Sequence, residues 1–219
     1  MNTDKLQRII EDFSLRDLSV RYDLIHTLQM PLPEKERRIL KTANPKRTAE
    51  FIAGRNNLRL AIGSFYNEDF FIGREQSGRP KLPEDIVGSI SHKTPFVVGV
   101  AARSQHYRSV GIDIETLEKW EPDVTKVFIN DADQKRFTDS ELTYDHYCSV
   151  LFSIKESVFK TIHHLSPDQS TSLQTITPIL EKQTTALSNF TVSLYGLTCC
   201  GQVIMQPPWI LAISWLKNV

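Results

Sequence analysis

The stretch that decides the fold is residues 110–115, which read Val-Gly-Ile-Asp-Ile-Glu. Apolar residues alternate in it with small or acidic ones, which predicts a β-strand whose successive side chains point to opposite faces. Asp113 and Glu115 are two positions apart, so both carboxylates lie on one face. Two carboxylates held this close repel each other unless a proton or a cation lies between them. A hard cation with oxygen ligands, such as Mg²⁺, suits this arrangement.

A second motif covers residues 152–160, Phe-Ser-Ile-Lys-Glu-Ser-Val-Phe-Lys, where apolar residues recur at helical spacing. Lys155 falls within the apolar face of the predicted helix, where a lysine must snorkel to water, lose its charge or meet an anion. Glu156 and Lys160 are four positions apart and are therefore neighbours on its flank. Two interpretations stay open here. One is a surface Glu–Lys pair beside a snorkelling lysine, and the other is a third metal ligand with two phosphate-binding lysines.

Two further features are typical of phosphate binding. In the helix predicted over residues 46–62, Arg47 and Arg55 belong to a ridge of side chains spaced by four. Arginine binds phosphate through paired hydrogen bonds and stacks on flat rings. Ser91 and His92 end a predicted strand just before a turn, where a hydroxyl and an imidazole can bond a phosphate. Taken alone, these features also fit a solvated helix face and a capped turn.

Length and composition narrow the class of protein. The 219 residues suffice for one large domain or two small ones, and 26 basic residues balance 26 acidic ones. A net charge of zero argues against a nucleic-acid-binding protein. The longest apolar runs, 96–102 and 209–216, are too short to span a bilayer, and the first eight residues do not form a signal peptide. With three cysteines and no disulfide or zinc spacing, we expect a soluble, cytoplasmic protein.

The pattern of the whole chain predicts helices packed on mostly antiparallel strands, an α+β fold. Helices are predicted over residues 3–13, 34–42, 46–62 and 150–163, and residues 117–147 are mixed and partly helical. Strands are predicted over residues 87–91, 96–102, 109–115, 191–197, 203–205 and 209–216, with a turn at 93–95. The predicted boundary lies near Arg108 and Ser109, which divides the chain into residues 1–108 and 109–219.

Five motifs, taken in order, resemble those of one enzyme family. They are residues 47–55 (Arg-Thr-Ala-Glu-Phe-Ile-Ala-Gly-Arg), 78–80 (Gly-Arg-Pro), 88–92 (Gly-Ser-Ile-Ser-His), 110–115 and 152–160. Their order and spacing resemble the 4′-phosphopantetheinyl transferases of the surfactin-synthetase-activating class, and within it the enterobactin synthase component D type. The resemblance covers residues 47–160, and the two ends of the chain carry little of it.

This resemblance implies two similar α/β halves in one chain, related by a pseudo-twofold axis, with the site between them. It implies transfer of 4′-phosphopantetheine from coenzyme A to a serine of an apo acyl, peptidyl or aryl carrier protein, with release of 3′,5′-ADP. Mg²⁺ is the implied cofactor. We expect residues 1–108 to bind coenzyme A and residues 109–219 to hold the metal and the catalytic groups. We also expect a monomer with no nucleic-acid partner.

The resemblance implies roles for individual residues. The implied metal ligands are Asp113, Glu115 and Glu156. The implied contacts to coenzyme A are Arg47, Arg55 and Arg79 at its 3′-phosphate and adenine end, Ser91 and His92 at its phosphates, and Lys155 and Lys160 at its pyrophosphate. The implied catalytic residues are Glu156, which accepts the serine proton directly or through a water, with Lys160 and Asp113. Arg74 or Lys81 can replace Arg79, because the motif at 78–80 is too short to fix its alignment.

Two other functions stay open at this point. A metal-dependent nuclease can also combine strand carboxylates with a later acid and a lysine, although the zero net charge argues against it. A non-catalytic carrier-binding module is the other, and the presence of all three candidate ligands argues against it. The candidate surface for a carrier protein is residues 117–147, with Trp120, Val127, Phe128 and Ile129.

Overall fold

The computed structural model of the chain describes residues 10, 15, 17–27, 30–40, 44–66, 70–165, 171–181 and 187–218. The chain divides into an N-terminal unit, Leu15–Val110 with the C-terminal residues from Lys217, and a C-terminal unit, Gly111–Leu216. Both units combine helices with strands, so the predicted α+β fold is confirmed. The helix predicted over residues 3–13 lies outside the described residues except for Ile10.

The described part of the chain contains ten strands and five α-helices. The strands are β1 (Leu18–Leu24), β2 (Gly73–Arg74), β3 (Pro80–Lys81), β4 (Ile86–Lys93), β5 (Phe96–Arg103), β6 (Tyr107–Thr116), β7 (Ile179–Leu180), β8 (Ser188–Leu194), β9 (Leu197–Gln206) and β10 (Trp209–Lys217). The helices are α1 (Glu34–Arg37), α2 (Pro45–Ile62), α3 (Pro122–Thr125), α4 (Asp131–Phe137) and α5 (Tyr144–Ile162). Short 3-10 helices follow α1 and α5, and a third covers Leu173–Thr175.

The N-terminal unit packs α2 against a three-stranded antiparallel sheet in the order β1-β5-β4. The helix begins at Pro45 because the Asn44 side chain accepts a hydrogen bond from the backbone N–H of Arg47 at 2.8 Å. A proline at the first helical position has no N–H that needs a partner. The buried core between helix and sheet is formed by apolar residues of both and of a loop beside them: Leu58, Ala61, Ile62, Ile72, Ile86 and Ala101.

The C-terminal unit is built on a five-stranded sheet in the order β6-β10-β9-β8-β7. Helix α5 packs on this sheet, with a core formed by apolar residues of the helix and of the strands. Thr143 caps α5 by accepting a hydrogen bond from the backbone N–H of His146, which explains why the helix begins at Tyr144 rather than at the predicted residue 150.

Strand β6, which carries residues 110–115, is buried on both faces from Ser109 to Ile114. The face that bears Gly111 and Asp113 lies under α5. A Cβ atom built on Gly111 would be 2.1 Å from the backbone oxygen of Ser157 and 2.5 Å from Oγ1 of Thr161. The helix backbone therefore approaches the strand more closely than a residue with a Cβ atom at position 111 would allow.

Two predicted boundaries were wrong for local reasons. The strand predicted over 191–197 ends at Leu194, because Tyr195 and Gly196 have φ angles of 53° and 74° and form the two-residue turn to β9. The helix predicted over 34–42 is an α-helix only to Arg37 and continues as a 3-10 helix to Leu40, and residues 41 and 42 lie outside the described residues.

Among the helices that the structure describes, none has both the length and the hydropathy that a bilayer crossing requires.

The close approach at Gly111 can be tested through stability. Gly111→Ala should lower the free energy of unfolding by about 3 kcal/mol, because the new methyl group meets a backbone oxygen that cannot move without the helix. Gly196→Ala is the control in the same unit, since its Cβ would meet nothing within 4 Å. Its left-handed backbone should cost only about 1 kcal/mol. Urea denaturation measures both, and equal losses would contradict the close approach.

Candidate functional site

Strand β6 and helix α5 bring together four of the residues predicted from the sequence. The Lys160 ammonium on α5 donates hydrogen bonds to Oδ1 of Asp113 at 2.8 Å and to the backbone oxygen of Ile112 at 3.1 Å. Asp113 is only 4% exposed, and Glu115 and Glu156 are partly buried beside it. We call Asp113, Glu115, Glu156 and Lys160 the acid cluster.

The pKa of Glu156 reflects the other charged groups of the acid cluster. Burial raises the pKa of the Glu156 carboxyl, the Lys160 ammonium opposes that rise, and the Asp113 and Glu115 carboxylates add to it. Glu156 therefore holds its proton more tightly than an ordinary surface glutamate. A carboxyl with this property can accept a proton from a reacting hydroxyl.

The acid cluster suits a hard divalent cation in its chemistry, because carboxylate oxygens are the ligands that Mg²⁺ prefers. In the part of the chain that the structure describes, no three His, Cys, Asp or Glu side chains are gathered closely enough to hold a metal ion. The Lys160 ammonium, at 2.8 Å from Asp113, supplies positive charge next to the carboxylates. A metal at Asp113, Glu115 and Glu156 would require these side chains to draw closer.

Lys155 lies away from the acid cluster, in the interior of the C-terminal unit. Its side chain is 0% exposed, and its ammonium donates to Oδ2 of Asp133 at 2.6 Å and to the backbone oxygen of Phe128 at 2.5 Å. Burial lowers the pKa of Lys155, and Asp133 offsets part of that effect. The lysine does meet an anion, but the anion is a protein carboxylate. Lys155 is therefore not placed to contact phosphate, although the resemblance implies that contact.

A second candidate site lies in the N-terminal unit, where a cavity of about 320 Å³ opens beside α2. Four of its lining residues can carry positive charge: Arg47, Arg55, Arg74 and His92. The other lining residues are Ile39, Leu40, Phe51, Gly54, Gly78, Pro80 and Ile90. A cavity with cationic and apolar walls suits a ligand that joins phosphate to a flat ring.

Arg55 is fixed from several sides. Its Nη1 donates to the backbone oxygen of Ile72 at 3.1 Å, and its guanidinium lies 4.8 Å from the centre of the Phe51 ring. The N–H of the same Ile72 donates to Oε1 of Glu36 at 3.0 Å, and Arg59 pairs with that oxygen at 2.5 Å. Burial lowers the pKa of Arg55 to about 10, so its side chain remains charged at neutral pH.

The structure distinguishes between the basic residues near the motif at 78–80. Arg74 lines the cavity, whereas Arg79 lies outside its lining and pairs with Glu75 at 3.6 Å. Arg74 is thus better placed than Arg79, and Lys81 is also absent from the lining. Ser91 is buried in β4 and does not line the cavity, although its neighbour His92 does.

The candidate docking segment, residues 117–147, is mostly exposed or half-buried, but two of the four apolar residues named in it belong to the core. Phe128 and Ile129 are buried, and the Trp120 ring packs against that of Phe128 with centroids 5.0 Å apart. Val127 differs from them, because it is 66% exposed. Of the four apolar residues named from the sequence, Val127 is therefore the one placed to contact a partner.

Comparison with known proteins matches both units to one family. Residues 35–102, which contain the cavity residues from Ile39 to His92, match the family model described as "4′-phosphopantetheinyl transferase N-terminal domain". Residues 109–206, which contain the acid cluster, match that of the "4′-phosphopantetheinyl transferase superfamily". The chain belongs to the 4′-phosphopantetheinyl transferase superfamily. The resemblance that the five motifs predicted is therefore confirmed.

Individual relatives of this superfamily are similar over part of the chain. 4′-Phosphopantetheinyl transferase Npt of Nocardia iowensis is 31% identical over 131 residues, which are 58% of this chain and 57% of that protein. Enterobactin synthase component D of Salmonella austin is 32% identical over 130 residues, which are 59% of this chain and 53% of that protein. 4′-Phosphopantetheinyl transferase PptT of Mycobacterium tuberculosis is 32% identical over 133 residues, 59% and 57% of the two chains. The chain thus spans a little over half the length of the curated relatives it matches.

Sequence reasoning missed three acidic residues of this superfamily member. Asp133 neutralises Lys155, Glu36 holds Ile72, and Glu50 lies beside Arg47 and His92. For Glu50 a signal existed, because it follows Arg47 by three positions on a predicted helix. Asp133 and Glu36 reach their partners across 22 and 36 residues, where no local pattern indicates the contact.

The structural role of Lys155 gives a prediction that separates it from a phosphate contact. Lys155→Met should lower the free energy of unfolding by about 3–5 kcal/mol, because it leaves the Asp133 carboxylate buried without its cation. Adding Asp133→Asn should recover part of the loss, since the amide keeps the helix cap without a buried charge. Urea denaturation measures the wild-type chain and both variants. A loss below about 1 kcal/mol, the range of exposed ion pairs, would contradict the buried pair.

Proposed function

We propose that this chain transfers the 4′-phosphopantetheine part of coenzyme A to a serine of an apo carrier protein and releases 3′,5′-ADP. Membership of the superfamily supports the reaction class. The observation that carries the proposal is the acid cluster, in which the Lys160 ammonium lies 2.8 Å from Asp113 beside a glutamate of raised pKa. This combination can balance phosphate charge and take up a proton.

In this proposal, the cavity of the N-terminal unit binds the nucleotide part of coenzyme A. Arg47 and Arg74 contact phosphate oxygens, and His92 donates to one of them. Arg55 contributes a fixed positive charge in the floor of the cavity, since its guanidinium is already held by Ile72. The apolar part of the lining suits the adenine ring. The N-terminal half is thus proposed to bind coenzyme A.

The C-terminal half is proposed to supply the chemistry. The hydroxyl oxygen of the carrier serine forms a bond to the β-phosphorus, the bond from that phosphorus to 3′,5′-ADP breaks, and Glu156 accepts the serine proton directly or through a water. Lys160 stabilises the negative charge that develops on the phosphate oxygens. Asp113, Glu115 and Glu156 would hold Mg²⁺, which neutralises pyrophosphate charge when it is bound.

The pathway and the cellular location are proposed from separate observations. A siderophore pathway is proposed from the similarity to a relative named enterobactin synthase component D, although relatives with other names are about equally similar. A cytoplasmic location is proposed because Cys148, Cys199 and Cys200 are all free thiols, as expected in a reducing compartment. The monomeric state and the absence of a nucleic-acid partner stay predictions.

The decisive experiment mixes the protein, coenzyme A and Mg²⁺ with a panel of apo carrier proteins and follows them by intact mass. We expect at least one carrier to gain a phosphopantetheine group, and chelation of the divalent metal to stop the gain. Glu156→Gln should lower the rate by about a hundredfold or more, because it removes the proposed proton acceptor. Glu181→Gln is the matched control, since Glu181 is exposed in the same unit and should leave the rate unchanged.

The proposal fails if no carrier gains mass while a control transferase modifies the whole panel. In that case nicking of plasmid DNA in Mg²⁺ would support the nuclease interpretation. Binding of carrier without transfer would instead support a non-catalytic module.

We further propose that Val127, with its neighbour Lys126, contacts a carrier protein that is acidic around its serine. Val127→Asp should raise the KM for the carrier about tenfold and leave the KM for coenzyme A unchanged, because it places an acidic group against an acidic partner. Ile179→Asp is the matched control, since Ile179 is 58% exposed on β7 of the same unit. Steady-state kinetics measure both variants, and equal effects would rule out a specific contact at Val127.

A further inference from the structure

One carboxylate lies among the cations beside the cavity of the N-terminal unit. Oε2 of Glu50 is 3.5 Å from Nη1 of Arg47 and 3.7 Å from Nε2 of His92. The same Nη1 and Nε2 atoms are 3.2 Å apart. Three side chains that can carry charge therefore meet at one point, where the predicted phosphate contacts included only two of them.

The positions of the three residues in the fold explain this meeting. Arg47 and Glu50 are three residues apart on α2, so both face the same side of the helix, and His92 reaches them from β4. The Glu50 side chain is only 10% exposed, whereas that of Arg47 is 54% exposed. The buried partner is the less mobile one, so Glu50 is placed to restrict the side chain of Arg47.

Glu50 lines a second cavity, of about 410 Å³. Its lining residues are Ile25, His26, Pro45, Lys46, Ala49, Glu50 and Thr94. Glu50 lines this second cavity but not the first, while Arg47 and His92 line the first but not the second. Glu50 thus acts on a ligand of the first cavity only through Arg47 and His92.

We propose that Glu50 is a positioning residue for coenzyme A, which holds Arg47 and His92 in the orientation that receives phosphate. This inference rests on the proposed function, in which the first cavity binds the nucleotide part of coenzyme A. Glu50 does not touch the substrate. Its carboxylate accepts from Arg47, and the same Nη1 of Arg47 contacts Nε2 of His92, so both side chains are held near one point and less side-chain freedom is lost when phosphate binds.

Charge repulsion alone predicts that neutralising Glu50 strengthens phosphate binding, the opposite of what a positioning role predicts. A negative charge within 4 Å of the proposed phosphate contacts repels an anionic ligand, so its removal should strengthen binding if orientation does not matter. If Glu50 orients the two donors, its neutralisation should weaken binding instead. The sign of the change therefore separates the two accounts.

The test compares the wild-type chain with Glu50→Gln and uses Glu75→Gln as the matched control. Glu75 also pairs with an arginine of the same unit, Arg79, but neither residue lines the cavity. We expect Glu50→Gln to raise the KM for coenzyme A and the Kd for 3′,5′-ADP about tenfold, the size expected for one lost charge-assisted hydrogen bond. The kcat at saturating coenzyme A should change by less than about twofold, as for a loss of uniform binding. Glu75→Gln should change none of these values.

A test in a second variant chain separates a positioning role of Glu50 from a general loss of structure. In the Arg47→Ala, His92→Ala double variant, adding Glu50→Gln should change the Kd for 3′,5′-ADP no further, because the residues it orients are gone. A further tenfold loss in that background would show a structural role and overturn the proposal. Unchanged or tighter binding in the single variant would also overturn it.

The outcome for Glu50 can be distinguished from that for the proposed function. Calorimetry with 3′,5′-ADP needs no carrier and no turnover, so Glu50 is tested even if no carrier is modified. A wild-type chain that transfers phosphopantetheine while Glu50→Gln behaves like wild type would leave the function standing and reject the positioning role. A wild-type chain that binds neither coenzyme A nor 3′,5′-ADP would reject both.

Discussion

The contact on which the acid cluster depends is the packing of the α5 backbone on Gly111 of β6. Because the position of a Cβ atom at this residue would be 2.1 Å from the backbone oxygen of Ser157, the helix can lie directly on the strand. Thr161 secures the same crossing with a hydrogen bond of 2.6 Å to Ser214 of the neighbouring strand β10. Asp113 follows Gly111 on the same face of the strand, and Lys160 immediately precedes Thr161 in the helix. The distance of 2.8 Å between the ammonium and the carboxylate is a consequence of that backbone packing.

The N-terminal unit fixes its charged groups in a different way, through buried carboxylates rather than through close backbone packing. Glu36 is fully buried, and it accepts the N–H of Ile72 while it pairs with Arg59. The carbonyl oxygen of Ile72 accepts from Arg55, so both backbone polar groups of this residue are held. The acid thus offsets positive charge in the floor of the cavity and also fixes the residue that anchors Arg55. Glu50 is proposed to orient Arg47 and His92, which line the same cavity.

The sequence predicts the elements of the fold wherever a local pattern decides them, and residues 110–115 are the clearest case. It also predicts that Lys155 needs an anion, since the residue lies in an apolar helix face. It does not identify that anion, because Asp133 lies 22 residues earlier and only the packing of α4 on α5 brings the two together. The choice between Arg74 and Arg79 depends on the pairing of two-residue strands, in which Arg74 lies opposite Pro80. Contacts of these kinds follow from tertiary structure and leave no periodic trace in the chain.

The two roles proposed for Glu156, metal ligand and proton acceptor, oppose each other. Burial and the carboxylates of Asp113 and Glu115 raise its pKa, which makes it a stronger proton acceptor than an exposed glutamate. A divalent cation bound to it would lower that pKa, as the Lys160 ammonium already does in part. A glutamate that binds the metal directly is therefore a weaker base. A water between the serine and Glu156 would relax the distance that proton transfer requires. It would not restore the basicity that a bound cation removes, because both oxygens of a carboxylate share one pKa. The burial of Glu156 and the carboxylates of Asp113 and Glu115 are therefore what keeps it a useful base beside positive charge.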